Sequence, residues 1–204
     1  MTTRPYVSSV RAKAAAQKRE RLLAEAARLL REKENIAGFS LEAVAKASGV
    51  TRLTVYNQFG SRRGLLEAVF DERARQGGLA RIMPAMALAD PLAALDRIVE
   101  IFCDFWDGDP SIGVLHAAVA LDAEFGQAVA ERNERRRGLV DALLIRLAPH
   151  LAGDAPERRG TIDLIFALTS YAMFKMMRAG RSKEDACSLL QAACRSAVDR
   201  LTTR

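Results

Sequence analysis

The positions of proline constrain the fold of this chain most strongly. The chain has six prolines, and none of them falls between Pro5 and Pro84. Because proline disrupts the interior of a helix, this distribution permits long helices that break where the later prolines occur. Between the prolines, apolar residues recur at the spacing of one helix face, and no stretch alternates as a strand would. One such face is formed by Leu22, Leu23, Ala26, Leu29 and Leu30. We therefore predict an all-α protein of about nine helices.

The region from Phe39 to Leu66 carries a different pattern, because its helices must be short. Ser40 can cap a first short helix, and the segment Ser48-Gly49-Val50 allows a tight turn. Thr51 can cap a second helix over residues 52–58, and Ser61 can cap a third. Two short helices joined by a glycine-containing turn are typical of a helix-turn-helix motif, which we predict at about residues 40–59.

This motif predicts which side chains would contact DNA. A recognition helix enters the major groove by its N-terminal residues, so Arg52 could pair with guanine and Leu53 could contact a thymine methyl group. Hydroxyl, amide and guanidinium groups around them would contact phosphates. The predicted DNA-binding residues are Ser40, Thr51, Arg52, Leu53, Thr54, Tyr56, Asn57, Gln58, Arg62 and Arg63.

The positive charge of the chain is concentrated near its N-terminus. Of a net charge of +6, residues 1–77 carry +7 and the remainder carries −1. This asymmetry suits a phosphate-binding head on a near-neutral body, although a well-solvated helical surface would give the same excess. We interpret residues 1–17 as a basic flexible arm or an extension of the first helix. Either the arm reinforces DNA binding or it is an inert tail. The basic residues within the arm and directly after it are Arg4, Arg11, Lys13, Lys18 and Arg19.

These residues carry a family resemblance. The run from Gly38 to Thr51, followed by Val55-Tyr56-Asn57-Gln58-Phe59 and Arg62-Arg63-Gly64-Leu65-Leu66, resembles the DNA-binding head of the TetR (tetracycline repressor-like) family of bacterial regulators. The resemblance covers about sixty residues, from Lys18 to Gly77. Three positions depart from the pattern, because the family often has aromatic residues or His at Asn57 and Gln58, and a small residue at Leu53.

The resemblance implies two domains with different functions. Residues 18–77 would form the three-helix DNA-binding head, and residues 78–204 would form a helical domain for ligand binding and dimerisation. The implied protein is a homodimer that binds a palindromic double-stranded DNA operator. It would most often act as a repressor that a small, largely apolar effector releases from the operator.

The last two long segments usually form the dimer interface in this family. The alternative is that their apolar stripes pack only within their own chain. The predicted interface residues are Ile162, Ile165, Leu189, Ala193 and Ala197.

Aromatic and methionine side chains of the body are candidates for an effector pocket, although their spacing is also typical of a plain core. The candidates are Phe102, Phe105, Trp106, Leu115, His116, Phe125, Phe166, Tyr171, Met173 and Met177. We interpret the run Arg135-Arg136-Arg137 as a solvated helix face.

Other functions receive less support from the sequence. The chain has no glycine-rich phosphate loop, no GxSxG motif and no His/Cys/Asp cluster with metal spacing, so we expect no enzyme, cofactor or metal site. It also has no secretory signal and no run of about 20 apolar residues, so we expect a cytoplasmic protein without a membrane span. Two alternatives remain, namely a DNA-binding regulator without an effector and a helical ligand-binding protein that binds no DNA.

Overall fold

The structure, a computed structural model, describes residues 6–33, 36, 38–147 and 154–202, and this part of the chain forms helices and no strand. The helices are α1 (Tyr6–Lys33), α2 (Leu41–Ala47), α3 (Arg52–Phe59), α4 (Arg62–Gln76), α5 (Ile82–Met86), α6 (Pro91–Gly108), α7 (Ser111–Ala118), α8 (Ala123–Leu147), α9 (Ala155–Leu168), α10 (Tyr171–Arg178) and α11 (Lys183–Thr202). A 3-10 turn, Leu79–Arg81, precedes α5. The all-α prediction is confirmed.

Two short helices account for the difference between the eleven α-helices of the described residues and the nine expected. One is α5, with five residues. The other is α10, which is separated from α9 by Thr169 and Ser170. Ser170 has extended backbone there, and its hydroxyl accepts a hydrogen bond from the Met173 amide at 3.2 Å, which begins a new helix.

Contacts divide the chain into two compact units. The first unit comprises residues 1–73 and 110–126, and therefore contains α1 to α3, most of α4, α7 and the first residues of α8. The second unit comprises residues 74–109 and 127–204. Residues 110–126, which the sequence places with the C-terminal body, thus pack with the N-terminal head. The functional division at residue 77 stays a prediction.

Most of the arm expected at residues 1–17 is helical. Because α1 begins at Tyr6, the structure favours an extended first helix over a flexible arm. Arg4 lies outside the described residues, whereas the side chains of Arg11, Lys13 and Lys18 are exposed. Their contribution to DNA binding stays a prediction.

Each unit has its own apolar core. In the first unit α1 contacts both α2 and α7, and Leu22, Val44 and Leu115 are at most 1% exposed. In the second unit α6 contacts α5, α10 and α11, and its buried face includes Leu95 and Ile98. Among the described helices none alone is long and apolar enough to cross a membrane; α7 and α8, taken together as a bent pair, satisfy the same length and composition test.

Candidate nucleic-acid interface

The helix-turn-helix consists of α2, the turn at residues 48–51 and α3. The Ser40 hydroxyl accepts a hydrogen bond from the Ala43 amide at 3.1 Å, and the Thr51 hydroxyl accepts one from the Thr54 amide at 3.2 Å. Between the two helices Gly49 has a φ of 65°, a left-handed conformation that glycine adopts without strain. The helix caps and the turn predicted from the sequence are confirmed.

One face of α3 is anchored and the other is presented to solvent. Val55 is fully buried, whereas Leu53 is 64% exposed and Tyr56 is 51% exposed. Of the ten predicted DNA-binding residues, the exposed ones are Thr51, Arg52, Leu53, Tyr56 and Asn57, and the half-buried ones are Ser40, Thr54, Gln58, Arg62 and Arg63. The first turn of α3 therefore presents a cation, hydroxyl groups and apolar surface together. These are the groups that form hydrogen bonds and apolar contacts with base edges and phosphates.

Arg19 of α1 holds the C-terminal end of α3. Its Nη1 donates a hydrogen bond to the Gln58 carbonyl at 3.2 Å, and its guanidinium carbon lies 4.6 Å from the ring centroid of Phe59. The sequence groups Arg19 with the phosphate-binding cations of the arm, but these contacts make it a residue that positions the recognition helix. Its partner is 39 residues away, so no local pattern identifies the contact.

Arg62 requires a correction, because its guanidinium is committed to internal acceptors. Its Nε donates to the Phe39 carbonyl at 2.9 Å, its Nη2 donates to the Ile36 carbonyl at 3.2 Å, and its Nη1 forms an ion pair with Asp122. The Asp122 carboxylate also accepts a hydrogen bond from the Phe125 amide at 3.0 Å. Arg62 therefore joins the start of α4 to the α1–α2 loop and to the start of α8, and we withdraw it as a phosphate contact.

The start of α4 is otherwise close to expectation. The Ser61 hydroxyl accepts a hydrogen bond from the Gly64 amide at 2.9 Å, so Ser61 caps this helix as predicted. Arg63 pairs with Glu67 one turn further along, at 2.6 Å, and stays partly exposed. Its contact with a phosphate stays a prediction.

The ten candidate pocket residues are divided between the two units. Leu115, His116 and Phe125 belong to the first unit, where Leu115 and Phe125 are core residues with at most 1% exposure. We therefore no longer assign these three to the pocket. The other seven belong to the second unit: Phe102, Phe105, Trp106, Phe166, Tyr171, Met173 and Met177.

Trp106 is the centre of an aromatic cluster in the second unit. Its ring centroid lies 4.5 Å from that of Phe105, 6.1 Å from that of Phe102 and 5.8 Å from that of Tyr171. Its indole N–H donates to the Thr169 carbonyl at 3.0 Å. The structure thus brings four of the candidate pocket residues into contact, at the break between α9 and α10.

The arginine run of α8 is not a solvated face throughout. Arg135 is exposed and Arg137 is half-buried, but Arg136 is only 8% exposed. Successive residues of a helix point about 100° apart, so three consecutive side chains span about 200° of the helix surface, and here the middle one points inward. The prediction is therefore wrong for Arg136, and the sequence reasoning missed a buried cation beside the aromatic cluster.

The predicted dimer residues also differ in burial. Ile165 and Ala197 are each 1% exposed inside their own chain, so they cannot form the exposed part of an interface. Ile162 and Ala193 are half-buried, and Leu189 is 46% exposed. The exposed apolar surface of α9 is provided instead by Leu164, at 39%, which the sequence reasoning did not select.

An all-helical chain that presents a short capped helix after a glycine turn has the architecture of the helix-turn-helix DNA-binding proteins. Comparison with known proteins narrows this class. Residues 22–69 match the model of the bacterial regulatory proteins of the tetR family. The HTH-type transcriptional regulator EthR of Mycolicibacterium smegmatis is 28% identical over 165 residues, which cover 78% of this chain and 72% of that protein. Over these regions the chain is similar to the TetR family of transcriptional regulators.

Solved structures show the same fold. The TetR family transcriptional regulator PfmR from Thermus thermophilus superposes with a TM-score of 0.62 at 22% identity, over 88% of this chain and 95% of PfmR. The multidrug binding protein EbrR, solved in complex with imidazole, superposes with a TM-score of 0.57 at 22% identity, over 87% of this chain and 89% of EbrR.

Proposed function

We propose that this chain is a homodimeric repressor that binds a palindromic DNA operator through α3 and leaves it when a small molecule binds the second unit. A protein that acts in this way would work in the cytoplasm, where the DNA is. The exposed first turn of α3, fixed on its inner side by Val55, is the observation that carries the proposal.

The side chains of that turn suggest how the operator would be read. Arg52 can donate two hydrogen bonds to guanine, and Leu53 can contact the methyl group of thymine. Tyr56 and Asn57 lie one turn further along and can donate to phosphates, as can the amides at the start of α2 behind Ser40. Arg62 is left out because each of its three nitrogens donates to an acceptor inside the first unit.

Dimerisation follows from the reading length of one helix. A single short helix contacts too few base pairs to be selective, so two copies related by a two-fold axis would read half-sites about 34–36 Å apart. The outer faces of α9 and α11 offer a surface for a second copy. Small residues alternate there with the exposed Leu164 and Leu189, and they allow helices to approach closely; they are Gly160, Ala167, Ser188 and Ala192.

A regulator of this kind also needs an effector that distinguishes two conformations. A ligand shifts DNA binding only if it binds the DNA-competent and the DNA-incompetent conformers with different affinities. EbrR, which has the same fold, is a multidrug binding protein, so the fold can hold a small-molecule site. The aromatic cluster around Trp106 is where we place that site.

DNA binding can be tested by fluorescence anisotropy with a duplex selected by this protein from a random-sequence library. Arg52→Ala should weaken binding by about 10- to 100-fold, because one bidentate base contact is worth about 1–3 kcal/mol. Tyr56→Phe should weaken it by a few fold, because it removes one hydroxyl donor. Raising the salt concentration should weaken binding steeply.

The exposed Arg135 of α8 provides a matched control, and Arg135→Ala should bind like the unmodified chain. If Arg52→Ala and Tyr56→Phe both bind the duplex unchanged, the assignment of α3 fails. If no duplex is selected, the chain is better explained as a helical ligand-binding protein.

The dimer can be tested by sedimentation equilibrium. Leu189→Glu places a charge on the proposed interface and should shift the protein from dimer to monomer. Leu121→Glu is the matched control, since Leu121 is 72% exposed and belongs to the first unit. A dimer that survives Leu189→Glu, or dissociates equally with Leu121→Glu, would exclude this face as the interface.

A further inference from the structure

Arg136 of α8 is the only charged residue that is buried among the residues the structure describes. Its guanidinium carbon lies 4.1 Å from the ring centroid of Phe166 and 5.7 Å from that of Phe102. Its Nη1 donates to the Thr169 hydroxyl at 3.1 Å. All of these residues belong to the second unit, so the arrangement is complete within it.

A structural role does not account for every donor of this side chain. The Nε of Arg136 is enclosed and has no hydrogen-bond acceptor. Within the described part of the chain, no carboxylate pairs with its guanidinium. The adjacent Arg137 forms its ion pairs with Glu134 and Asp163. Contacts with aromatic rings stabilise a cation but cannot accept an N–H in the plane of the guanidinium, so a buried donor stays unsatisfied.

The environment also disfavours the charge itself. Burial, together with the positive charge of Arg137, lowers the pKa of Arg136 to about 10. The guanidinium therefore remains protonated at neutral pH. Among the described residues this buried cation has an unsatisfied Nε and no carboxylate partner. That arrangement is unfavourable, and an anion that supplied both a charge and an acceptor would relieve it.

The surroundings define what such an anion would look like. A guanidinium matches a carboxylate, which can accept two parallel hydrogen bonds from it. The nearby rings of Phe102, Phe166 and Trp106 would contact an apolar or aromatic body attached to that carboxylate. A bare inorganic anion has no apolar surface to place against those rings and would lose more hydration on entry.

We propose that Arg136 binds the carboxylate of the effector, and that the effector is an organic acid with an apolar or aromatic body. The inference deepens the proposed function and rests on it for the link to DNA release. Because the rings enclose the guanidinium, binding must displace at least one of them. Thr169 contacts both Arg136 and Trp106, so this displacement would reach the break between α9 and α10.

Ligand binding can be followed by the intrinsic fluorescence of Trp106, since it is the only tryptophan of the chain. The full chain would be titrated with decanoate and with phenylpropanoate, and in parallel with decanol, phenylpropanol and inorganic phosphate. At least one carboxylate should give a saturable change in fluorescence, with an affinity about 10-fold or more above that of its alcohol. Phosphate should give no saturable change.

Variants assign the effect to one side chain. Arg136→Met should lower the affinity for the carboxylate by about 10- to 100-fold, the value of a hydrogen-bonded charge. Arg136→Lys should keep part of the affinity, because it keeps the charge without the planar donors. Arg135→Met is the matched control on the same helix and should bind as the unmodified chain does.

Several outcomes would overturn the proposal. They are equal affinity for the carboxylate and its alcohol, unchanged binding by Arg136→Met, tight binding of phosphate, and saturation by neither carboxylate. Should Arg136→Met fail to fold, the comparison of acid and alcohol and the Arg136→Lys variant still decide. The anisotropy assay distinguishes the proposed DNA-binding function from the proposed effector class. If the unmodified chain binds no duplex, the proposed function is contradicted. If the fluorescence titration shows no carboxylate binding, only the effector class is contradicted.

Discussion

The two units each enclose an arginine, and they do so in opposite ways. Arg62 in the first unit is about one-third exposed, yet it donates to two carbonyls and forms an ion pair with Asp122. Arg136 in the second unit is almost fully buried, yet it donates to one hydroxyl and keeps an enclosed Nε without an acceptor. The more deeply buried arginine is thus the less well satisfied one.

This difference distinguishes an arginine that stabilises the fold from one that is available to bind a ligand. A side chain whose three nitrogens each bond to the protein joins segments, and in Arg62 these segments are α4, the α1–α2 loop and the start of α8. A side chain that retains a buried donor weakens the fold unless something else supplies the acceptor. Burial by itself therefore does not reveal the role of an arginine, whereas the inventory of its partners does.

The same substitution at both positions makes the comparison measurable. Arg62→Met should lower the free energy of unfolding of the first unit by about 2–3 kcal/mol, because the Asp122 carboxylate and two carbonyls lose a charged donor. Urea denaturation followed by far-UV circular dichroism would measure the change.

Arg63→Met is the control for this experiment, since Arg63 is half-buried like Arg62 but forms its ion pair with Glu67 one turn along the same partly exposed helix face. Such pairs contribute about 0–1 kcal/mol. Equal effects of the two substitutions would show that the internal contacts of Arg62 contribute no more than a surface pair, and the contrast with Arg136 would disappear.

The sequence predicts the first unit well where the signals are local. Ser40, Thr51 and Ser61 cap helices within three residues of their partners, and Gly49 permits the turn wherever the rest of the chain lies. Arg62 could not be predicted in this way, because Asp122 is 60 residues away. A basic residue at the start of a helix has the same local pattern whether it contacts a phosphate or an internal carboxylate.

In the second unit the limits of prediction have another cause. Helical periodicity identifies an apolar stripe, but it does not say whether the stripe faces its own chain or a second copy. Ile165 and Ala197 therefore look like interface residues in the sequence and are core residues in the structure. Likewise, no pattern within Arg135-Arg136-Arg137 tells which of the three points inward, since this depends on how α8 packs.

Asp104 is a charged residue of the second unit that, unlike Arg136, has partners of opposite charge. Its carboxylate accepts hydrogen bonds from Lys183 at 2.8 Å and from Arg81 at 2.9 Å. Burial raises the pKa of this carboxyl, but the hydrogen bonds from Lys183 and Arg81 outweigh burial and hold the pKa below its ordinary value of 3.8. The stability it contributes is therefore fully present above the ordinary pKa and lost as the pH falls through the lower folded-state pKa.

Asp104→Asn should accordingly remove about 1 kcal/mol at neutral pH, a modest amount because the three side chains are partly exposed. The difference between variant and unmodified chain should shrink as the pH falls below about 4. Trp106 fluorescence against urea, at a series of pH values, would measure it. A difference that stays constant down to the lowest pH would mean that the charge of Asp104 does not stabilise the unit.

The smallest expected effect is the one that matters most for Arg136. Arg136→Met loses the hydrogen bond to Thr169 and the contact with Phe166, but it also removes a buried charge and an unsatisfied donor. Because these contributions oppose each other, we expect the free energy of unfolding to change by less than about 1 kcal/mol without ligand. Trp106 fluorescence during urea denaturation reports directly on this unit. A loss as large as that of Arg62→Met would mean that Arg136 holds the second unit together as Arg62 holds the first, and its free donor would then not indicate a binding site.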